Sequence, residues 1–290
     1  MFELSVRYML LSALGFAITG VFVKLASARG IPVLEIVAAR ALVSAVISYF
    51  DIKRKGISLW GRRRGLLFAR GLVGSFALVC VFYALAVIPF AEATVLQYLH
   101  PMFTAVLAIV FLEERVQWPT ALCVVLSFVG LLVIVQPDVV FGQQSIDYPP
   151  LAIAAAVAGA FGSGVAYVLV RKLNATEDPS VIIFYFPLVA FPVSLLLLGD
   201  GLVLPQGVDW LLLLMVGIAT QVGQIGLTKA MQTETASRAT SFSYSQVLFA
   251  VVLGWWFFNE VPSFWTWLGG GLIIAGALIN LCWRPAIGRG

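Results

Sequence analysis

The chain has 290 residues, of which 61% are hydrophobic and only 11% are charged. A soluble domain has about 45–50% apolar and about 25% charged residues, so this composition excludes a water-facing surface and indicates a protein embedded in lipid. Because a spanning helix takes about 20 residues, the chain has room for about ten spans joined by short connections. No length remains for a nucleic-acid-binding domain, so the net charge of +4 needs another explanation.

Apolar runs, separated by charges, prolines and glycines, follow one another along the whole chain. Runs such as 122–135 are continuous and do not alternate as membrane β-strands would, so each run predicts a helix. The sequence therefore predicts an all-α membrane protein with ten transmembrane helices. The predicted spans are 8–28, 33–50, 66–88, 92–112, 118–136, 150–170, 181–199, 210–230, 238–258 and 264–283.

The basic residues are concentrated in alternate connections. If the amino terminus is cytoplasmic, fifteen of the eighteen Lys and Arg residues, Arg70 among them, fall on the cytoplasmic side. Short cytoplasmic loops of membrane proteins carry such an excess of positive charge. The pattern predicts that both termini are cytoplasmic in a multi-pass protein of the cell (inner) membrane, and it explains the positive net charge.

The second half of the sequence repeats the first. Residues 93–134 align with residues 239–280 without a gap, and the alignment pairs Tyr98 with Tyr244. Each copy holds five predicted spans, an odd number, so the second copy enters the membrane from the opposite side. The expected organisation is a first five-helix repeat over 1–137, an outer connecting loop over 138–149, and a second, inverted five-helix repeat over 150–290.

Several short motifs are shared with a known family. They are Phe82-Tyr83-Ala84-Leu85, Ala91-Glu92-Ala93-Thr94, Pro101, Phe111-Leu112-Glu113-Glu114 and Gly130. They resemble the paired EamA-type repeats of the drug/metabolite transporter superfamily. Arg40 and Arg70-Gly71 are similar to that pattern too, and Arg70-Gly71 is especially similar to bacterial relatives of the G-type members of solute carrier family 35. The resemblance implies a ten-helix transporter, in a family whose solutes include amino acids, other metabolites, nucleotide sugars and organic anions.

Polar side chains inside the predicted spans are candidates for a solute site, because they are costly in lipid and usually face a bundle interior or aqueous cavity. We interpret most Ser and Thr residues as bonding to their own or neighbouring helices. For the amides of Gln97, Gln221 and Gln224, helix–helix bonding and cavity lining both stay open. The substrate-binding candidates are Lys24, Arg40, Gln97, Tyr98, His100, Tyr167, Gln221, Gln224, Tyr244 and Gln246.

Two cations lie within the first two spans, where Glu35 and Glu92 are available as counter-ions. If Lys24 and Arg40 are both neutralised in this way, the charges are structural. The alternative is that one cation is left to bind a carboxylate or phosphate of the solute, for which the planar guanidinium of Arg40 is well suited. The repeat-matched Glu114, at a helix end, is interpreted as structural.

Inverted halves are typical of secondary transporters, in which one midplane site faces each side in turn. The function predicted is export of a small polar metabolite, an amino acid or related compound, by alternating access around a midplane cavity. Organic anions or nucleotide-like metabolites such as S-adenosylmethionine are alternative solutes, and an intramembrane enzyme or a channel is the alternative class. The expected partners are the solute and membrane lipid, with no nucleic acid, cofactor or metal. Coupling to protons or to a counter-substrate, and a monomeric or homodimeric state, stay open.

Overall fold

The computed structural model describes residues 2–87, 96–135, 149–199, 201–259 and 261–282, and within them the regular structure is helical. The described residues form ten helices, as the sequence predicted. These are α1 (Phe2–Ala28), α2 (Val33–Lys55), α3 (Arg64–Val87), α4 (His100–Leu112), α5 (Trp118–Val135), α6 (Pro150–Leu173), α7 (Pro179–Leu198), α8 (Val208–Thr233), α9 (Ala236–Phe258) and α10 (Phe264–Cys282). Helix α9 has one 3-10 turn, Phe242–Tyr244, between the α-helical segments Ala236–Ser241 and Ser245–Phe258.

Eight of the ten helices are long and apolar enough to cross a membrane, the exceptions being α4 and α5. A helix rises about 1.5 Å per residue, so about 20 residues match the hydrocarbon core. Helix α4 has 13 residues, and the beginning of the predicted span 92–112 lies outside the described residues. The outer surface of the bundle carries large exposed side chains such as Leu196 and Trp256, which suit a lipid environment.

The helices of the first half pack against those of the second half in a symmetric pattern. Helix α1 packs on α8, and its counterpart α6 packs on α3. The contact of α4 with α6 has its counterpart in the contact of α9 with α1. Helix α2 packs on its own counterpart α7, and α5 packs on its counterpart α10. The interior between the halves is therefore built from both repeats.

Equivalent helices of the two halves run antiparallel. At the end of α2, the Nζ atom of Lys55 lies 2.9 Å from Oδ1 of Asp178, whose side chain caps the beginning of α7. At the beginning of α5, Thr120 Oγ1 donates to Oδ1 of Asn280, near the end of α10, at 3.1 Å. Burial opposes the ionisation of Asp178, but hydrogen bonds from Ser180 and Lys55 outweigh it and lower the pKa of this carboxyl group.

Glycines allow the closest helix contacts. A Cβ atom on Gly15 of α1 would lie 2.7 Å from the backbone nitrogen of Gly223 on α8, and one on Gly226 would lie 2.6 Å from the carbonyl oxygen of Tyr8. Helix α6 approaches α4 in the same way at Gly164, where a Cβ would lie 3.0 Å from that of Phe103. Small residues let the backbones of membrane helices approach closely and gain van der Waals contact.

Each half supplies one carboxylate that caps or supports a helix end of the other half. The buried Glu177 accepts hydrogen bonds from the backbone N–H groups of Arg62 and Arg63 at 2.8 and 2.5 Å, just before α3 begins. Glu114 accepts from the backbone N–H of Ala236, at the beginning of α9, at 3.0 Å. The structural interpretation of Glu114 fits this contact, and the helix that it caps belongs to the second half.

Replacing Glu177 with glutamine is expected to lower the free energy of unfolding by about 1 kcal/mol, because an amide keeps the shape but loses the charge that favours a helix amino terminus. The unfolding midpoint of detergent-purified protein should fall accordingly. Glu113→Gln is the control, since Glu113 is exposed and precedes no helix directly. Equal midpoints for the two variants would contradict a capping role for Glu177.

Candidate functional site

Four of the predicted site residues form one aromatic cluster in the interior. The rings of Tyr98 and Tyr244 are stacked with centroids 5.5 Å apart, and the hydroxyl of Tyr244 donates to the carbonyl oxygen of Tyr98 at 2.8 Å. The His100 ring lies 5.8 Å from that of Tyr98 and 5.2 Å from that of Tyr167, which it meets edge to face. The cluster therefore joins the beginning of α4 to α6 and α9.

Local features at the beginning of α4 and within α9 position this cluster. Pro101 occupies the first turn of α4, where its missing N–H leaves no hydrogen bond unmade. The hydroxyl of Thr104 donates to the carbonyl oxygen of His100 at 2.7 Å, a bond within its own helix of the kind predicted for Ser and Thr. In α9 the 3-10 turn ends at Tyr244, whose side chain is fully buried against Tyr98.

The Tyr244→Phe substitution should destabilise the protein by about 1–2 kcal/mol, because it leaves the carbonyl of Tyr98 buried without its donor. The ring stacking would remain, so the expected result is a lower unfolding midpoint in detergent without loss of the folded state. Tyr49→Phe is the matched control, since Tyr49 is exposed. The hydrogen bond would be unimportant if the two variants unfolded at the same temperature.

Two arginines approach one aromatic ring beside this cluster. The guanidinium carbon of Arg70 on α3 lies 4.9 Å from the ring centroid of Phe186 on α7, and that of Arg40 on α2 lies 5.8 Å from the same centroid. Arg70 also interacts electrostatically with the hydroxyl of Tyr167. The side chains of Arg40, Arg70, Tyr98, His100, Tyr167, Phe186 and Tyr244 thus form a continuous series, here called the central row.

Besides Phe186, the member of the central row that was not predicted from the sequence is Arg70. It was counted among the charges that mark the cytoplasmic side, but it is only 4% exposed and lies inside α3. Within the described part of the chain, its Nε and Nη1 atoms have no hydrogen-bond partner, and the same holds for Nδ1 of His100 and Oγ of Ser75. Buried polar groups are normally paired, so these unpaired atoms mark a place where water or a solute is expected.

A pair of glycines makes room for Arg70. A Cβ atom on Gly74 would lie 2.6 Å from Nη1 of Arg70 and 2.9 Å from Cδ2 of Phe186, and one on Gly71 would lie 2.7 Å from the carbonyl oxygen of Tyr185. Helix α3 therefore approaches α7 closely on the face that carries Arg70. An arginine followed by glycines one and four residues later is the sequence signal that could have found it.

Within the described residues, the other predicted charged groups do not join the central row. Lys24 is exposed on α1, with its Nζ atom 4.2 Å from the ring centroid of Phe258 on α9. Glu35 accepts a hydrogen bond from the backbone N–H of Val203 at 2.9 Å and forms no ion pair with Arg40. Glu92, the other proposed counter-ion, lies outside the described residues. The structure thus brings Arg40 into the central row and places Lys24 elsewhere.

Among the predicted glutamines, Gln221 is buried and hydrogen-bonded to a second helix, whereas the other three are half-buried. The side chain of Gln221 on α8 accepts from Ser44 Oγ and donates to Ser48 Oγ at 2.9 Å, both on α2. These contacts use its oxygen and its nitrogen to join two helices. Gln97 precedes Tyr98, Gln224 lies one turn beyond Gln221, and Gln246 follows Tyr244 by two residues; all three are half-buried.

The interior beside the central row is narrow. A small cleft between α2, α3 and α7 is lined by Ser75, Ala190 and Ser194 among others. A much larger, open depression lies between α4 and α6, and its lining of residues such as Phe103, Ile153 and Phe161 is apolar. Within the described residues, no group of three His, Cys, Asp or Glu side chains is placed to hold a metal ion.

The repeat found in the sequence corresponds to a known family. The model of the EamA-like transporter family matches residues 4–136 and, a second time, residues 150–282. The chain belongs to the EamA-like transporter family. As an EamA protein with eight helices long enough to span the bilayer, it is a multi-pass membrane protein.

Relatives of this EamA protein support a transporter rather than an enzyme. It is 33% identical over 269 residues to the pseudopaline exporter of Pseudomonas aeruginosa, covering 92% of each chain. It is 30% identical to human solute carrier family 35 member G1, covering 97% of this chain and 79% of the relative. A crystal structure with 20% identity matches at a TM-score of 0.76 over 93% of this chain and 95% of the other, which supports the fold alone. The predicted family is confirmed.

Proposed function

We propose that this protein is a secondary transporter that exports a small polar metabolite, an amino acid or related compound, by alternating access. The observation that carries the proposal is the central row. It draws on α2, α3 and the beginning of α4 in the first half and on α6, α7 and α9 in the second. A polar and aromatic row between two similar halves is where a carrier with a midplane site would bind its solute.

The proposed organisation is the one that the sequence predicts. The repeats 1–137 and 150–290, joined by an outer loop over 138–149, are inverted about an axis in the membrane plane, with both termini in the cytoplasm and the protein in the cell inner membrane. The antiparallel contacts of α2 with α7 and of α5 with α10 support the inversion. The ten predicted substrate-binding residues remain candidates, with Gln221 better suited to joining α2 and α8.

Ion pairs near the helix ends are suited to closing each side of the central row. At the end of α2, Lys55 pairs with Asp51 and with Asp178 of the α7 cap. Arg29, which lies between the end of α1 and the beginning of α2, pairs with Asp209 in the first turn of α8. The basic partners Lys55 and Arg29 are exposed, and ion pairs open to water contribute about 1 kcal/mol or less, so they can break and form again during a transport cycle. Breaking the ion pairs on one side would let the helices there separate and would widen the narrow interior beside Phe186.

Reconstitution in liposomes tests this proposal. Uptake of labelled amino acids would be measured in competition with a panel of carboxylates, organic cations and nucleotides, with and without a pH gradient. Saturable uptake that one class of competitor inhibits is expected, and its response to the gradient distinguishes proton coupling from exchange. Uptake no faster than in protein-free liposomes for every class would contradict the proposal.

The two arginines favour a second candidate solute class. Guanidinium groups bind carboxylate and phosphate through paired N–H donors, and two of them share the Phe186 ring. Organic anions are therefore the alternative cargo that a specific observation supports.

A further inference from the structure

We propose that Arg40 and Arg70 together form one binding site for a solute with two anionic groups, such as a small dicarboxylate. This inference rests on the proposed transport function and narrows its substrate class. Each guanidinium would bind one anionic group of the solute, while the ring of Phe186 lies beside both cations.

The charge around Arg70 is the first argument. Arg70 is almost completely buried, and its Nε and Nη1 atoms have no hydrogen-bond partner within the described residues. A buried charge is unfavourable unless it is paired and hydrogen-bonded. The contact with Phe186 supplies a cation–π attraction but leaves these donors unused. Arg70 therefore lacks an anionic partner within the described residues.

The carboxylates whose side chains the structure describes are either bonded to other groups or exposed. Those in ion pairs contact other basic residues near helix ends: Asp51 and Asp178 contact Lys55, Glu114 contacts Arg171, Asp209 contacts Arg29, and Glu234 contacts Arg238. Glu177 and Glu35 accept hydrogen bonds from backbone N–H groups, and Glu113 is exposed. Neither Arg40 nor Arg70 forms an ion pair within the described residues. A solute with two negative charges would balance both cations at once.

The position of the two cations is suited to a solute with two anionic groups. Arg40 extends from α2 and Arg70 from α3, and their guanidinium carbons lie 5.8 and 4.9 Å from the Phe186 centroid. Both cations are thus held at one ring while their N–H groups can still be used by ligands. The narrow cleft lined by Ser75 adjoins the same three helices.

Thermal unfolding of the purified full chain in detergent tests binding without transport. The probes are succinate, malate, glutarate and glutamate, compared with alanine, choline and sodium chloride at equal ionic strength. A ligand that binds the folded state raises the unfolding midpoint, so at least one dicarboxylate should raise it and the other probes should not. In Arg70→Gln and in Arg40→Gln, the apparent affinity for the dicarboxylate, obtained from the rise of the midpoint with its concentration, should fall at least tenfold. Arg64→Gln is the matched control, because Arg64 is an exposed arginine on the same helix as Arg70.

The same variants separate a binding role from a structural one. Without any solute, Arg70→Gln should unfold at the same or a higher temperature than the unaltered protein, since it removes a buried charge that lacks a partner. A lower midpoint for Arg70→Gln would mean that the charge stabilises the fold, and it would overturn the inference.

Transport in liposomes distinguishes failure of the inference from failure of the proposed function. Transport of a dicarboxylate by the unaltered protein, lost in Arg70→Gln and kept in Arg64→Gln, would support both. Transport of solutes with one carboxylate or with none, with no competition by any dicarboxylate, would overturn the two-anion site and leave the transporter proposal intact. Absence of transport for the whole panel would overturn both.

Discussion

Replacing Arg40 with alanine is expected to reduce transport by at least about 30-fold while the protein still reaches the membrane in normal amounts. Removing one partner of a buried charged contact costs about 2–5 kcal/mol, and about 1.4 kcal/mol corresponds to a factor of ten. Arg40 is half-buried, its guanidinium lies beside Phe186, and it forms no ion pair within the described residues. Its removal should therefore affect solute binding more than folding.

Solute uptake in reconstituted liposomes, normalised to the amount of inserted protein, measures this effect. Arg54→Ala is the control, because Arg54 is an exposed arginine in the last turn of the same helix, α2. Unchanged flux through Arg40→Ala would show that the charge is not used in transport. Reduced flux through both variants to the same extent would point to a general effect of lost positive charge.

Replacing Gly15 with leucine is expected to prevent correct folding. A Cβ atom at this position would lie 2.7 Å from the backbone nitrogen of Gly223 and 3.0 Å from the carbonyl oxygen of Ala219. Backbone atoms cannot move aside as the end of a flexible side chain can, so α1 and α8 would have to separate. We expect a cost of more than about 3 kcal/mol, since these helices form one of the main contacts between the halves.

The yield of monodisperse protein after detergent extraction, together with its unfolding midpoint, measures this cost. Gly20→Leu is a closely matched control, because Gly20 lies on the same helix and a Cβ there would meet no atom within 4 Å. Gly20→Leu should behave like the unaltered protein. If Gly15→Leu folded equally well, the close crossing of α1 and α8 would be contradicted.

The features of the fold that depend on local pattern could be predicted from the sequence. Ten apolar runs gave ten helices, and several predicted ends agree with the structure, such as the end of α1 at residue 28 and of α9 at residue 258. The pairing of Tyr98 with Tyr244 came from the repeat register. Equivalent residues close to a two-fold axis meet each other, and these two rings are stacked.

The partners of buried charges could not be predicted, because they depend on contacts between distant segments. Arg70 lies near the beginning of its span, where counting charges assigns it to the cytoplasmic side. Its burial depends on Phe186, which is far away in sequence, and on the close approach that Gly71 and Gly74 permit. The two bonds of Gln221 likewise depend on Ser44 and Ser48 of a distant helix.

The part of the site contributed by α4 shows a further limit of sequence reasoning. The predicted span 92–112 placed Tyr98 and His100 on one continuous helix. In the structure α4 begins at His100, and Tyr98 lies in the segment before it. The aromatic cluster therefore depends on the break at this position as well as on periodicity.

Counterflow in liposomes is the most direct test of the central claim, that a solute crosses by alternating exposure of one site between the two halves. Liposomes would be loaded with an excess of the unlabelled solute that competes best, and the trace labelled form would be added outside. A carrier predicts that label accumulates transiently inside above its outside concentration, and that the accumulation saturates. Label that only equilibrates, at a rate proportional to its concentration, would indicate a channel and contradict alternating access.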